Sequence, residues 1–185
     1  MNKETMKKMV VPFLLSFLFL VNSAWAKGVE GQKAPPWHVS DWINLEDGKQ
    51  SLEVSELKGK VVYLYSFQSW CPGCHRFGFP TLKKLLRTFS GEKDMEFVAI
   101  QTVFEGFSTN DRQAAWDTAE RYDLAIPIGH DDGGGKGSGL MRRYRSGGTP
   151  WVIIIDRNGV VRFNDFHVDP DGAEKFLRKL LKQKV

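Results

Sequence analysis

Runs of apolar residues predict the first strands and the first helix of the chain. Val61–Phe67 is continuous, β-branched and aromatic, which is typical of a strand buried on both faces. Glu96–Val103 is a second apolar strand. Between them, four apolar residues recur at i, i+3, i+4 and i+7 and predict one helical stripe: Leu82, Leu85, Leu86 and Phe89. Strand, helix and strand predict a βαβ unit with parallel strands and a right-handed crossover.

Shorter elements are predicted around this unit. Asp111–Tyr122 predicts a helix, with Asn110 or Asp111 as its N-cap. The others are a strand over Trp37–Leu45, an extended piece over Ala125–Ile128, a glycine-rich loop over 129–137, a helical turn over Leu140–Arg145 and a closing amphipathic helix through Ala173, Phe176, Leu177, Leu180 and Leu181.

The C-terminal region carries a strong hairpin signal. Trp151–Asp156 and Val160–Phe166 are apolar runs that flank Asn158-Gly159, a dipeptide favoured in tight hairpin turns. The order of elements predicts an α/β fold, in which a central mixed β-sheet is flanked by helices. The βαβ unit is followed by a C-terminal β-hairpin and a last helix.

The N-terminus has the pattern of a secretory signal peptide. Three lysines and one glutamate lie within Met1–Met9, and Val10–Val21 is apolar apart from Ser16. An A-x-A end follows at Ala24-Trp25-Ala26, so we expect cleavage after Ala26. The apolar run is too short to cross a bilayer, which needs about 20 residues. We therefore expect residues 1–26 to be removed and residues 27–185 to form one exported, periplasmic or otherwise extracytoplasmic domain.

The charge balance excludes one class of function. The chain of 185 residues has a formal net charge of +4, which falls to +2 without the three lysines and one glutamate of the signal segment. So small and unclustered an excess excludes a strongly basic nucleic-acid-binding protein. Apolar residues make up 42% of the chain and charged residues 26%, which is ordinary for a soluble globular protein.

The two cysteines of the chain carry its candidate chemistry. They lie together in Trp70-Cys71-Pro72-Gly73-Cys74, and a disulfide that closes so short a loop stabilises a fold little. If a helix starts at Pro72, free backbone N–H groups and the helix dipole favour a thiolate at Cys71. Cys74, one turn further and more buried, then resolves a mixed disulfide by attacking Cys71. Trp70 would offer a flat docking surface beside the pair.

Metal-binding alternatives fit the sequence less well. Half of a zinc site would need two more ligands, and His75 is poorly placed beside Cys74. A copper chaperone would combine the cysteines with a distant histidine, such as His130 or His167, but that class separates its cysteines by three residues rather than two. We therefore expect neither a metal nor an organic cofactor.

Two further motifs are incomplete in this chain. A phosphate-binding loop would need Ser or Thr after Lys136, where the chain has Gly137. A peroxidatic cysteine site would need proline at Leu64 and Thr or Ser at Gln68.

The motifs resemble those of the TlpA/ResA-like exported thiol-disulfide oxidoreductases, which have the thioredoxin fold. The resemblance covers most of residues 34–183. It is carried by Ser69–Cys74 after a strand, by Gly148-Thr149-Pro150-Trp151 before a strand, and by the hairpin Ile155–Val161. It implies that Cys71 and Cys74 are catalytic, that Pro150 is cis and faces the disulfide, and that the backbone of Thr149 offers hydrogen bonds to an extended substrate strand.

The chain departs from the family at three positions. ResA-like proteins have a glutamate where this chain has Phe77, and thioredoxin has a buried aspartate where it has Tyr65. Both acids assist proton transfer. The helix proline, Pro80, falls one residue later than usual, and we expect the extra residue to bulge the helix.

The resemblance also implies partners. They are protein thiols and disulfides, with a membrane protein that donates electrons. Thr149, where DsbA-type oxidases have valine, favours a protein-disulfide reductase, and cytochrome c maturation is one process it would serve. A disulfide-forming oxidase and a copper-handling module remain the alternatives.

A few other side chains carry weaker expectations. His75 and Arg76 are expected to point to solvent, and Asp131-Asp132 to lie in a solvated loop. Trp151 is expected to line the substrate groove beside Pro150.

Overall fold

The computed structural model describes residues 28–183, and the segment predicted as a signal peptide lies outside them. Within this range the strands are β1 Asp41–Ile43, β2 Val61–Phe67, β3 Met95–Thr102, β4 Ile128–Asp131, β5 Trp151–Ile155 and β6 Val161–Asp165. The α-helices are α1 Phe79–Thr88, α2 Arg112–Arg121, α3 Gly139–Tyr144 and α4 Pro170–Leu181. A π-helical turn, Cys74–Gly78, leads into α1, and two short 3-10 turns lie at Glu46–Gly48 and Val54–Leu57.

The strands form one mixed sheet in the order β1-β4-β3-β2-β5-β6. β2, β3 and β4 run parallel, whereas β1, β5 and β6 are antiparallel to their neighbours. β2, α1 and β3 form the predicted βαβ unit, and β5 and β6 form the predicted hairpin. The thioredoxin-like architecture expected from the sequence is thus confirmed. Among residues 28–183, no helix is both long enough and apolar enough to cross a membrane.

Strand β2 separates two hydrophobic cores, because its alternate side chains point to opposite faces of the sheet. Tyr63, Tyr65 and Phe67 pack on the face covered by α1, α2 and α4. Val62 and Leu64 pack on the other face, with α3 and the N-terminal segment. All seven residues of β2 are buried, which accounts for a sequence that is apolar apart from Ser66.

The predicted first strand is shorter than its sequence pattern. Only Asp41–Ile43 pairs with β4, although the strand was expected over Trp37–Leu45. His38 and Asn44 flank the paired residues with φ angles of 48° and 58°. Left-handed backbone cannot continue a strand, so extended structure stops inside these two positions.

The loop predicted over 129–137 is wrong for its first three residues, which belong to β4. This strand lies between β3 and β1, so its neighbours leave little room. A Cβ on Gly129 would lie 3.1–3.2 Å from side-chain atoms of Val39, Ile100 and Trp42. The glycine that resembles a loop signal in the sequence is therefore a packing requirement of a buried strand.

Asp131 is buried, and the prediction that it is solvated is wrong. Its carboxylate accepts hydrogen bonds from Ser138 Oγ at 2.7 Å and from the backbone N–H of Leu140 at 2.8 Å. These bonds satisfy the buried charge and fix the start of α3 to the end of β4. His130 is also buried rather than in a loop, and its Nδ1 lies 3.1 Å from Gln101 Nε2.

Candidate active site

Sheet topology brings the candidate residues to one edge. β2 and β3 are parallel, so the segments that follow them, with Cys71 and Phe104, emerge side by side. β5 is antiparallel to β2, which places Thr149 and Pro150, just before β5, at the same edge. β6 ends there too, and Phe166 follows it.

Cys71 occupies the N-cap position of the helix that begins at Pro72, as the sequence predicts. The backbone N–H of Cys74 donates to Cys71 Sγ at 3.2 Å, and the N–H of His75 donates to the Cys71 carbonyl at 3.2 Å. A side chain that accepts from the third helical N–H satisfies one of the free donors of the first turn. The sulfur of Cys71 is therefore held where a negative charge is favoured.

The segment before β5 closes over the other side of Cys71. The Thr149–Pro150 peptide bond is cis, as the family resemblance implied. The Cys71 thiol donates to the Thr149 carbonyl at 3.6 Å. Pro150 packs on the first helical turn, where a Cβ on Gly73 would lie 3.3 Å from Pro150 Cδ. Cys71 retains 7% exposure at the edge of the core, whereas Cys74 retains none.

Cys74 is fully buried, which agrees with its predicted position behind Cys71. Burial raises the pKa of the Cys74 thiol to about 12, and its hydrogen bond with Cys71 acts in the same direction. A hydrogen bond with the backbone of Gln68 and another with the Tyr65 hydroxyl act in the opposite direction. At neutral pH Cys74 is thus a protonated thiol that becomes nucleophilic only as its proton leaves.

The extra residue before Pro80 is accommodated as the predicted bulge. Cys74–Gly78 is a π-helical turn, in which the N–H of Phe79 donates to the Cys74 carbonyl. The Tyr65 hydroxyl donates to the same carbonyl at 3.4 Å. It occupies the space beneath Gly78, where a Cβ would lie 2.0 Å from the Tyr65 oxygen. The turn, the glycine and the buried tyrosine therefore form one packed unit.

Tyr65 stands where thioredoxin has its buried acid, but its chemistry differs. Burial raises the pKa of its phenol well above the ordinary value, and the neighbouring Cys74 adds to this effect. The phenol therefore keeps its proton at neutral pH and donates it in the hydrogen bond to the Cys74 carbonyl. A donor stabilises a developing thiolate at Cys74 but cannot remove its proton.

His75 does not point to solvent, so that expectation is wrong. Its ring is half-buried and stacks on Tyr122, with Nδ1 2.8 Å from the Tyr122 hydroxyl. Nε2 lies 2.5 Å from the carbonyl of Ser69, which can only accept, so Nε2 carries the proton of this bond. Arg76 is exposed as expected, and its guanidinium lies over the ring of Phe77 at 5.2 Å.

Two buried amides hold the loop before Cys71, and the sequence analysis did not identify them. The backbone N–H of Ser69 donates to Asn110 Oδ1 at 2.9 Å and to Gln101 Oε1 at 3.1 Å. Gln101 Nε2 in turn donates to the Asn110 carbonyl at 2.9 Å. Polar residues at the end of an otherwise apolar strand were the available signal, because buried amides require partners.

A groove of about 610 Å³ runs beside Cys71 and is largely apolar. Its walls include Cys71 and all three residues predicted to bind substrate, Trp70, Thr149 and Pro150. The sequence analysis did not assign to the groove its other large side chains, which are Phe77, Phe104 and Phe166, or the ionisable side chains of Glu105 and His167. Trp70 is 48% exposed and Phe166 50%, so apolar surface at this edge faces solvent. We call this surface the redox groove.

Trp151 does not line the redox groove as expected. Its ring packs edge-on against Phe166, with 6.3 Å between ring centroids, and its Nε1 donates to Asn164 at 2.7 Å. Trp151 therefore supports a groove residue from behind.

The histidines considered for a metal site lie apart. His130 is buried and bonded to Gln101, whereas His167 lines the redox groove beside Phe77. Across residues 28–183, no three His, Cys, Asp or Glu side chains are grouped closely enough to hold a metal ion.

Comparison with known proteins assigns the family. The Redoxin family model matches residues 29–181. Thioredoxin-like protein YneN of Bacillus subtilis is 30% identical over 82% of this chain and 78% of its own length. Thiol-disulfide oxidoreductase ResA of Bacillus cereus is 29% identical over 71% of this chain. The match covers 66% of the length of ResA.

A solved structure agrees with these matches. The thiol-disulfide isomerase from Corynebacterium glutamicum superposes with a TM-score of 0.71 and 30% identity, over 82% of this chain and 98% of its own. The chain therefore belongs to the Redoxin family and is a thiol-disulfide oxidoreductase with the thioredoxin-like fold.

Proposed function

We propose that this protein is an exported reductase of protein disulfides, in which Cys71 is the nucleophile and Cys74 the resolving thiol. One observation carries the proposal: the Cys71 sulfur lies at a helix N-terminus on the wall of the redox groove, with the buried Cys74 directly behind it. Only one of the two sulfurs is thus placed to meet a substrate. The Cys74 sulfur lies where an attack on Cys71 would release the substrate from the mixed disulfide.

The reaction is two successive thiol–disulfide exchanges. The Cys71 thiolate attacks one sulfur of the substrate disulfide, forms a mixed disulfide and expels the other substrate sulfur as a thiolate. Cys74 loses its proton and attacks Cys71, which forms the Cys71–Cys74 disulfide and releases the second substrate thiol. Two electrons pass from the dithiol to the substrate. A dithiol donor, for which we propose a membrane protein, reduces the enzyme again.

The groove residues have distinct proposed roles. Trp70 and Pro150 provide apolar surface on either side of the reacting sulfur. The Thr149 carbonyl, which accepts from the Cys71 thiol, is available to a substrate backbone N–H when Cys71 becomes part of a disulfide. Protein disulfides, such as those that must be reduced before haem attachment in cytochrome c maturation, are the proposed substrates.

The positions of His75 and Arg76 support a reductase rather than an oxidase. A strong oxidase depends on extra stabilisation of its reduced thiolate. His75 is bound to Ser69 and Tyr122, and Arg76 lies over Phe77. Neither side chain is directed to Cys71 by these contacts, so neither forms a hydrogen bond or an ion pair with its thiolate.

The reduction potential of the Cys71–Cys74 pair tests the direction. In equilibrium with glutathione, we expect a value closer to that of thioredoxin, about −270 mV, than to that of a strong oxidase, about −120 mV. Arg76→Gln is the matched control and should shift the potential by less than about 30 mV, since the guanidinium lies over Phe77. A wild-type value near −120 mV would contradict the reductase and favour the disulfide-forming oxidase.

Export is a separate prediction. Cleavage after Ala26 would leave the packed domain intact, because the chain is tied to the fold soon afterwards: Val29 is buried, and the N–H of Gly31 donates to the Val161 carbonyl at 2.8 Å. Mass spectrometry of the protein from its native host should find Lys27 as the first residue. An intact Met1 on membrane-bound material would show an uncleaved anchor instead.

A further inference from the structure

A second pocket adjoins the redox groove and has the opposite character. It has a volume of about 620 Å³ and shares Phe104 with the redox groove as a common wall. Three cations line it, Lys136, Arg142 and Arg145, and no acidic residue does. Phe107, which is exposed, lies beside them. We call this surface the cationic pocket.

The charges of the cationic pocket are not neutralised from within the loop that carries them. Asp131 faces inward and is bonded to Ser138 and Leu140, and Asp132 accepts from the N–H of Gly134. None of the salt bridges found within residues 28–183 involves a cation of the pocket. Glu105 lines the redox groove rather than this pocket.

One of the three cations is structural, and two are available to a partner. Arg142 Nη1 donates to the carbonyls of Gly137 at 2.7 Å and Lys136 at 3.4 Å, so it closes the glycine-rich loop. Lys136 and Arg145 are exposed. Arg145 adopts a left-handed conformation with φ 53°, which turns the chain after α3 and places this residue on the wall of the pocket.

The cationic pocket lies within short reach of the reacting sulfur. Arg145 lines the pocket, and Thr149, four residues later, lines the redox groove and contacts Cys71. Four residues of chain span at most about 14 Å. A substrate segment that lies along Thr149 therefore reaches the cationic pocket within about four residues of its reacting cysteine.

We propose that the cationic pocket binds a carboxylate-bearing segment of the substrate protein, so that disulfides with Glu or Asp about four residues from the reacting cysteine are preferred. This inference rests on the proposed function. The exposed rings of Phe104 and Phe107 provide apolar contact for the aliphatic part of the side chain, and Lys136 and Arg145 pair with its charge. Such pairing at the rim of an interface accelerates encounter and depends on salt.

Two synthetic peptides test the proposal. Both carry the same cysteine loop closed by a disulfide, and they differ only in having Glu or Gln at the fourth and fifth residues on each side of it. We expect the Glu peptide to be reduced with a kcat/KM roughly 3- to 10-fold higher at low salt. This preference should disappear in a Lys136→Gln/Arg145→Asn variant, in which Asn suits the left-handed position. It should also weaken as the salt concentration rises.

A matched variant separates local from general charge effects. Lys175→Gln/Lys179→Gln removes two exposed charges from α4, which packs on the opposite face of the sheet from α3, and should keep the preference for the Glu peptide. Equal kcat/KM for both peptides in the wild type, or equal losses in both double variants, would overturn the cationic pocket as a docking site. Hydroxyethyl disulfide distinguishes failure of the docking site from failure of the proposed function. If the protein is not a reductase, this uncharged disulfide is not reduced either.

Discussion

Replacing Cys71 with serine is expected to reduce disulfide reductase activity to the rate of the uncatalysed exchange. Serine is nearly isosteric, so it can still accept from the N–H of Cys74, and the fold should keep its stability. The oxygen cannot form the mixed disulfide, and no other thiol in the described structure can take its place, because Cys74 is fully buried. Reduction of a protein disulfide, followed with a coupled dithiol donor, measures the loss.

Cys74→Ser is the matched variant, and it should behave differently. It keeps the attacking sulfur but removes the resolving one, so mixed disulfides between Cys71 and substrate should accumulate and be visible on non-reducing gels. In the reduced wild type, alkylation near neutral pH should modify Cys71 alone. Cys74 should react only as the pH approaches the value of about 12 to which burial raises its pKa. Trapping by Cys71→Ser in place of Cys74→Ser would reverse the two roles.

Gly78→Ala is expected to destabilise the protein by about 1–3 kcal/mol, although alanine is the better helix former. Gly78 has helical backbone angles, so the cost is not conformational. A Cβ there would lie 2.0 Å from the hydroxyl oxygen of Tyr65 and 2.6 Å from its Cζ. Tyr65 cannot move aside easily, because its ring packs edge-on against Phe79 at 5.2 Å. Urea unfolding measures the free energy, and the displaced hydroxyl should also slow resolution by Cys74.

Two further variants show whether steric conflict is the cause. Tyr65→Phe alone should lose about 0.5–1.5 kcal/mol with its buried hydrogen bond and raise the pKa of Cys74. The double variant Tyr65→Phe/Gly78→Ala lacks the shortest contact. Its loss of unfolding free energy should therefore be smaller than the sum of the losses in the two single variants. Gly172→Ala in α4, where the nearest atom is an exposed carboxylate oxygen at 3.2 Å, should be neutral or stabilising. Equal destabilisation by both alanines would contradict the packing argument.

Local patterns predict the elements well where one physical requirement dominates. Strand β2 has the limits that its sequence predicts, because a strand buried on both faces is apolar along nearly its whole length, here with Ser66 as the exception. The hairpin is recognisable from Asn158-Gly159, because a tight turn needs residues that tolerate left-handed backbone. The bulge before Pro80 follows from counting residues against the family spacing.

The same patterns mislead where tertiary packing changes the meaning of a residue. Gly129, His130 and Asp131 are typical loop residues, yet they form a buried strand. The glycine there leaves room for neighbouring side chains, and the aspartate is satisfied by partners from α3 and the residue before it. His75 is half-buried because it stacks on Tyr122. This contact could not be predicted from the neighbouring residues, because Tyr122 lies far along the chain.

By itself, the sequence determined the chemistry of this protein: a Cys-x-x-Cys pair at a strand-to-helix junction, on a βαβ unit followed by a hairpin. These features depend on residues close together in the chain. Only the tertiary structure decided what surrounds the pair. Tyr65 contacts Gly78 beneath the π-helical turn, and Phe104 and Phe166 both line the redox groove beside Cys71. Those contacts depend on strand order and on which strand ends share an edge, and no local pattern of residues encodes either.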